Sequence, residues 1–124
     1  MYKRQAQHIA FYEGGVDALI ADIPELKARC CEKKFFVEAD ASDAVRFVEA
    51  GVDGIQLDKV PADELAQLVS TLKDINPQVT VIAAGGVNME NARAYAASGV
   101  DGIATTCLHF AKPLDMSARM VADV

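Results

Sequence analysis

One feature limits the folds open to this 124-residue chain more than any other: a six-residue block that occurs twice. Ala50-Gly51-Val52-Asp53-Gly54-Ile55 returns 48 residues later as Ser98-Gly99-Val100-Asp101-Gly102-Ile103. In each copy an apolar-faced helical segment ends at Gly, a hydrophobe packs back on it, Asp opens a turn and a β-favouring run begins. A period of this length holds two strand-helix units. Alternating strands and helices with short links specify a parallel sheet with right-handed crossovers.

The rest of the chain fits that frame. Strands are expected at Phe35–Glu38, Gly54–Leu57, Val79–Ala84 and Gly102–Thr106. The third is nearly all apolar, as suits a strand covered by helices. Helices are expected at Gly15–Arg29, with Pro24 breaking or kinking it, and at Ala41–Ala50. A further helix runs from Pro61 to before Asn76-Pro77, and another spans Met89–Ser98 with Asn88 as its N-cap. A short last element is expected over Met116–Val121. The fold class is therefore α/β, and four clear strands are too few to close a barrel. The expected architecture is the C-terminal half of a TIM-like open α/β barrel of parallel βα units.

Charge and composition narrow the partners. Twelve basic and eighteen acidic residues give a net charge of −6, which argues against nucleic acid or an anionic membrane surface as partner. No apolar run reaches the roughly 18 residues of a membrane span, and the start of the chain has no signal-peptide core. Cys30, Cys31 and Cys107 are odd in number and lack metal-ligand spacing. They point to reduced thiols and a cytoplasmic location, with no zinc site.

In parallel βα folds the ligand sits at the carboxyl ends of the strands. There the sequence places Glu38 and Asp40, then Asp58-Lys59, then Gly85-Gly86, then Thr105-Thr106. The Gly-Gly turn lets backbone approach an anion, and the following helix would aim N–H groups at it. Thr105 and Thr106 could add hydroxyl donors. Glu38 and Asp58 could hold magnesium through oxygen, directly or through water, or stabilise a cationic transition state; the alternative is solvent-facing carboxylates. Lys59 either pairs with Asp58 or contacts an anion. His8 reads as core or site, and Cys107 and His109 as packing. Arg46, Lys73 and Arg93 fall on helix faces and read as solvated.

Several of these segments in combination resemble one family. They are Val37-Glu38-Ala39-Asp40, Ile55-Gln56-Leu57-Asp58-Lys59, Ala83-Ala84-Gly85-Gly86-Val87-Asn88 with Asn91, and Tyr95 to Asp101. The family is that of the quinolinate (nicotinate-nucleotide) pyrophosphorylases, type II phosphoribosyltransferases. The tail Phe110-Ala111-Lys112-Pro113-Leu114-Asp115 resembles its ModD branch, encoded in bacterial molybdenum-transport gene clusters. The resemblance runs from about Ala6 to Met120. It implies an open α/β barrel joined to a separate N-terminal domain in a homodimer. The implied reaction transfers phosphoribosyl from phosphoribosyl pyrophosphate to a pyridine carboxylate or similar small acid acceptor, with Mg2+. Glu38 and Asp58 would then flank the ribose and the metal-bound pyrophosphate. Gly85, Gly86, Thr105 and Thr106 would bind phosphate, and His8 would match a family histidine.

The sequence also departs from the family pattern. Gln5 stands where the family has lysine, Lys59 where it has asparagine, Ala84 where it has serine and Thr106 where it has glycine. The residues that grip quinolinate lie upstream of this chain. Met1-Tyr2-Lys3-Arg4-Gln5 matches one reading frame of the transposase adapter used in shotgun sequencing. Residues 1–5 are therefore expected to be non-native, and residues 6–124 to be the partial catalytic domain, inactive by itself. The alternatives are another phosphate-binding barrel enzyme, such as a thiamine-phosphate synthase or an aldolase, or a non-catalytic nucleotide- or anion-binding relative.

Overall fold

The computed structural model describes residues 2–122. Five strands form one parallel sheet in the order β1-β2-β3-β4-β5: Tyr2–Arg4, Phe35–Ala39, Gly54–Asp58, Thr80–Ala84 and Gly102–Ile103. Helices α1 (Ala6–Ala10) and α2 (Gly15–Arg29) join β1 to β2; α3 (Ala41–Glu49), α4 (Ala62–Ile75) and α5 (Ala92–Ala97) join the rest. Strands in sequential order with a helix between each pair are the layout of one sector of a βα barrel.

The two faces of the sheet differ because side chains alternate along a strand. Phe35, Val37, Ile55, Leu57, Val81 and Ala83 are buried against Leu19 and Ile23 of α2, Phe47 of α3, and Leu65 and Leu72 of α4. The opposite face carries Phe36, Glu38, Gln56 and Ile82, and there the polar residues are partly exposed. In a barrel that second face is the interior.

The repeated Asp explains itself at the amino ends of the strands. Asp53 accepts the Phe35 N–H at 2.7 Å and the Lys27 ammonium at 2.9 Å. Asp101 accepts the Val81 N–H at 2.8 Å and the Lys73 ammonium at 2.7 Å. Each lysine also donates to a carbonyl, Lys27 to Gly51 and Lys73 to Val79. Each Asp thus ties two neighbouring strands and the helix before them. Burial pushes both carboxyls up, but the backbone and lysine donors outweigh it and hold them below the usual carboxylate range. Lys73 is therefore not merely solvated, and Arg46 pairs with both Asp17 and Asp43.

Several boundaries differ from expectation. Helix α2 runs unbroken through Pro24. Strand β5 is two residues long rather than five, because the chain turns at Thr105-Thr106 into a 3-10 turn over Cys107–Phe110. No helix or strand forms over Met116–Val121, where Met116, Met120 and Val121 are exposed and find no core to pack on. Tyr2–Arg4 pair in register with Phe35–Val37 as a strand, β1, that the four expected strands did not include. Among the described residues no helix is long and apolar enough to cross a membrane.

Candidate functional site

The carboxyl ends of β3, β4 and β5 open into a cavity of 590 Å³. Its wall includes Gln56 and Asp58 from β3, Gly85 and Gly86 after β4, and Thr105, Thr106 and Cys107 after β5. Four residues picked from the sequence for phosphate binding and one of the two carboxylates therefore meet in one place.

The two glycines do different jobs. A Cβ on Gly85 would lie 2.5 Å from Asp58 Oδ1, 2.5 Å from Lys59 Cγ and 2.7 Å from the Lys59 nitrogen. Gly85 is thus the point where the loop after β4 packs against the loop after β3. Lys59 N–H donates to the Ala84 carbonyl at 2.8 Å across the same junction. A Cβ on Gly86 would meet nothing within 4 Å. Gly86, with φ +79°, is the residue whose backbone faces open space and can be approached closely by a ligand.

Two asparagines fix that backbone. Asn91 Nδ2 donates to the Gly86 carbonyl at 3.1 Å, and Asn91 Oδ1 accepts the Asn88 N–H at 2.8 Å. Asn88 Oδ1 in turn accepts the Glu90 N–H at 2.9 Å. Asn88 to Asn91 therefore form an asparagine-braced turn, and α5 begins at Ala92 rather than Met89. The expected helix dipole at the turn is absent, since a six-residue helix starts too late to supply it.

The threonines also separate. Thr105 Oγ1 donates to the Val87 carbonyl and accepts the Cys107 N–H at 3.1 Å, so its hydroxyl proton is committed to the protein. Thr106 is exposed on the cavity wall and makes no side-chain cap bond. Cys107, read as packing, is a wall residue as well.

Glu38 sits one strand away from the cavity, directly opposite Gln56 in the β2–β3 register. Its Oε2 receives Gln56 Nε2 at 3.1 Å and the Lys3 ammonium at 3.1 Å. Lys3 also donates to Gln56 Oε1 at 2.8 Å. Gln56 is the link between Glu38 and the cavity, and it was not among the residues singled out from sequence. A polar residue at an inward position of an otherwise apolar strand was the available signal. Asp40 is not a site carboxylate. It is the N-cap of α3, where the Ser42 hydroxyl and the Ser42 and Asp43 N–H groups hold it below its usual range. His8 does not reach the cavity: it lies exposed on α1 with Nδ1 accepting the Gln5 N–H at 3.1 Å.

With that geometry in place, likeness to known proteins decides the family. The sequence profile described as quinolinate phosphoribosyl transferase, C-terminal domain, matches residues 5–119. The chain belongs to the quinolinate phosphoribosyltransferase family. It is 42% identical over 88 residues to a ModD pyrophosphorylase of Rhodobacter capsulatus, covering 70% of this chain and 33% of that one. It is 35% identical over 91 residues to the rat carboxylating nicotinate-nucleotide pyrophosphorylase, covering 70% of this chain and 30% of that one. NadC from Streptococcus pyogenes superposes with a TM-score of 0.73 at 25% identity, covering 92% of this chain and 39% of that one. The chain thus spans about a third of the length of the curated relatives it matches. Within the family, the cavity described here lies in the C-terminal domain.

Proposed function

We propose that this chain carries the phosphate- and pyrophosphate-binding side of a ModD-like phosphoribosyltransferase. The reaction transfers phosphoribosyl from phosphoribosyl pyrophosphate to a pyridine carboxylate or similar small acid, in a cytoplasmic homodimer of the full-length protein. The observation that carries this reading is the single cavity shared by Asp58, Gly86 and Thr106 at the strand carboxyl ends.

In this reading the 5′-phosphate lies against the Gly86 backbone and the Thr106 hydroxyl. Thr105 and the Asn88–Asn91 pair hold the loops rather than touch ligand. Asp58 and Glu38 face the ribose, where carboxylates stabilise positive charge developing at the anomeric carbon. Among the described residues no three His, Cys, Asp or Glu side chains gather into a metal cage. Magnesium asks for less: one or two carboxylates, with phosphate oxygens and water completing its shell. Asp58 fits that role, being a partly exposed wall residue, whereas one oxygen of Glu38 is already held by Lys3 and Gln56. Bound there, magnesium would neutralise the pyrophosphate, which reconciles an acidic protein with an anionic substrate.

The test is calorimetric titration with phosphoribosyl pyrophosphate and Mg2+, together with product analysis on the full-length protein. Glu38→Gln and Asp58→Asn are expected to lose binding or turnover by at least tenfold. Unchanged binding and turnover in both would defeat the assignment.

A further inference from the structure

We propose that Gln56 is a positioning residue for the reaction: its side-chain amide holds the Glu38 carboxylate toward the cavity from the neighbouring strand. This rests on the reading above that Glu38 faces the ribose.

Glu38 needs such a partner. It is not part of the wall that Gln56, Asp58, Gly86 and Thr106 share. It borders instead a smaller cavity of 290 Å³, together with Ile9 of α1, Val16 of α2 and Asp43 of α3. Its side chain therefore has a second space to turn into, and rotation about its single bonds lets it do so. Hydrogen bonding is what selects one direction.

The strand register supplies the bond. Gln56 stands opposite Glu38 on β2 and opposite Ile82 on β4. The Ile82 side chain has no atom to bond an amide, so the polar neighbour lies on the β2 side alone. Gln56 Nε2 donates to Glu38 Oε2 at 3.1 Å, while Gln56 Oε1 accepts the Lys3 ammonium at 2.8 Å. With its oxygen turned to Lys3, the amide presents N–H to the carboxylate. One Glu38 oxygen is thereby fixed and the other is left for the ligand. An amide on a face shared with Phe36 and Ile82 costs free energy unless it is hydrogen-bonded. Its carboxylate partner, rather than packing, accounts for a glutamine at this position.

The test is a double-mutant cycle in the full-length protein. Pyrophosphate release from phosphoribosyl pyrophosphate with Mg2+ is measured with quinolinate and with nicotinate as acceptor. Gln56→Leu and the longer Gln56→Met both remove the donor and suit the apolar neighbours, so each should melt within about 3 °C of wild type. Each should lower kcat about tenfold, as expected for one hydrogen bond to a charged group, while KM for phosphoribosyl pyrophosphate changes less than about twofold. In a Glu38→Gln background the same substitutions should add less than about twofold, because the carboxylate they act through is already gone. Gln56 loses this role if Glu38→Gln lowers kcat and neither Gln56 variant does, or if the two effects multiply. Wild-type kcat in Glu38→Gln, or no pyrophosphate release by wild type with either acid, would refute the reading of Glu38 itself and this inference with it.

Discussion

Gly85 and Gly86 are adjacent, share positive φ and yet should respond unequally to the same substitution. Alanine at either position adds a Cβ to a left-handed residue, at about 1–2 kcal/mol. At Gly86 nothing else is added, because no atom lies within 4 Å of the new carbon. At Gly85 the carbon falls 2.5 Å from Asp58 Oδ1 and 2.7 Å from the Lys59 nitrogen, and the second of these is backbone that cannot swing away. Relieving the clash means parting the two loops and losing the Lys59 N–H to Ala84 carbonyl bond, about 1 kcal/mol more. Gly85→Ala should therefore cost about 2–3 kcal/mol and Gly86→Ala about 1–2 kcal/mol, read as midpoint shifts in urea unfolding at constant slope. Phosphate binding should follow a different order. Gly86→Ala places a methyl where the anion approaches and should lose binding at least as severely as Gly85→Ala despite the smaller stability loss. Equal stability losses, or undiminished phosphate binding by Gly86→Ala, would refute the division of roles.

Other outcomes follow from the same geometry. Thr106→Val should weaken phosphate binding several-fold with little change in melting temperature. Thr105→Val should instead lose about 1–2 kcal/mol of stability, because it strips partners from the Val87 carbonyl and the Cys107 N–H. Asp53→Ala and Asp101→Ala should each cost about 1–3 kcal/mol at neutral pH by taking the carboxylate away from a strand N–H and a lysine ammonium. Both carboxyls lie below their usual range when folded, so they bind protons more readily when unfolded. Their contribution is complete above the unfolded carboxylate value near pH 4 and is lost as pH falls through the lower folded value. Acid unfolding of the double variant should accordingly depend less steeply on pH below about 4 than that of wild type. Asn91→Ala should leave the Gly86 carbonyl with only the 3.4 Å bond from Asn88 Nδ2 and weaken phosphate binding more than it lowers the melting temperature.

The repeat made the architecture legible because a helix stop, a hydrophobe and a strand start must recur whenever a βα unit recurs. Strand ends then named Asp58, Gly86 and Thr106 without any coordinates. What escaped was whatever depends on distance across the sheet. Gln56 looked like one polar residue in an apolar run, and its role appears once the register sets it opposite Glu38. Lys73 looked solvated because its partner, Asp101, is 28 residues away. Thr105 and Thr106 are indistinguishable as letters, and differ by which carbonyl lies within reach. The helix after the Gly-Gly turn was misjudged because Asn88 and Asn91 satisfy local N–H groups themselves, which delays the helix by three residues.

The two Lys–Asp clamps act at the amino ends of the strands, and each joins a pair of neighbouring strands to the helix that precedes the pair. Lys27, Phe35 and Asp53 fasten β2 to β3; Lys73, Val81 and Asp101 fasten β4 to β5. Between β3 and β4 the joint has no such clamp and is held by the strand ladder, the Thr80 N–H to Asp53 carbonyl bond at the amino ends and the Lys59 N–H to Ala84 carbonyl bond at the carboxyl ends. The Lys–Asp fastenings thus sit at one pole of the sheet and the ligand cavity at the other. A substitution in a clamp changes stability without altering a residue of the cavity wall, so the two properties can be varied one at a time.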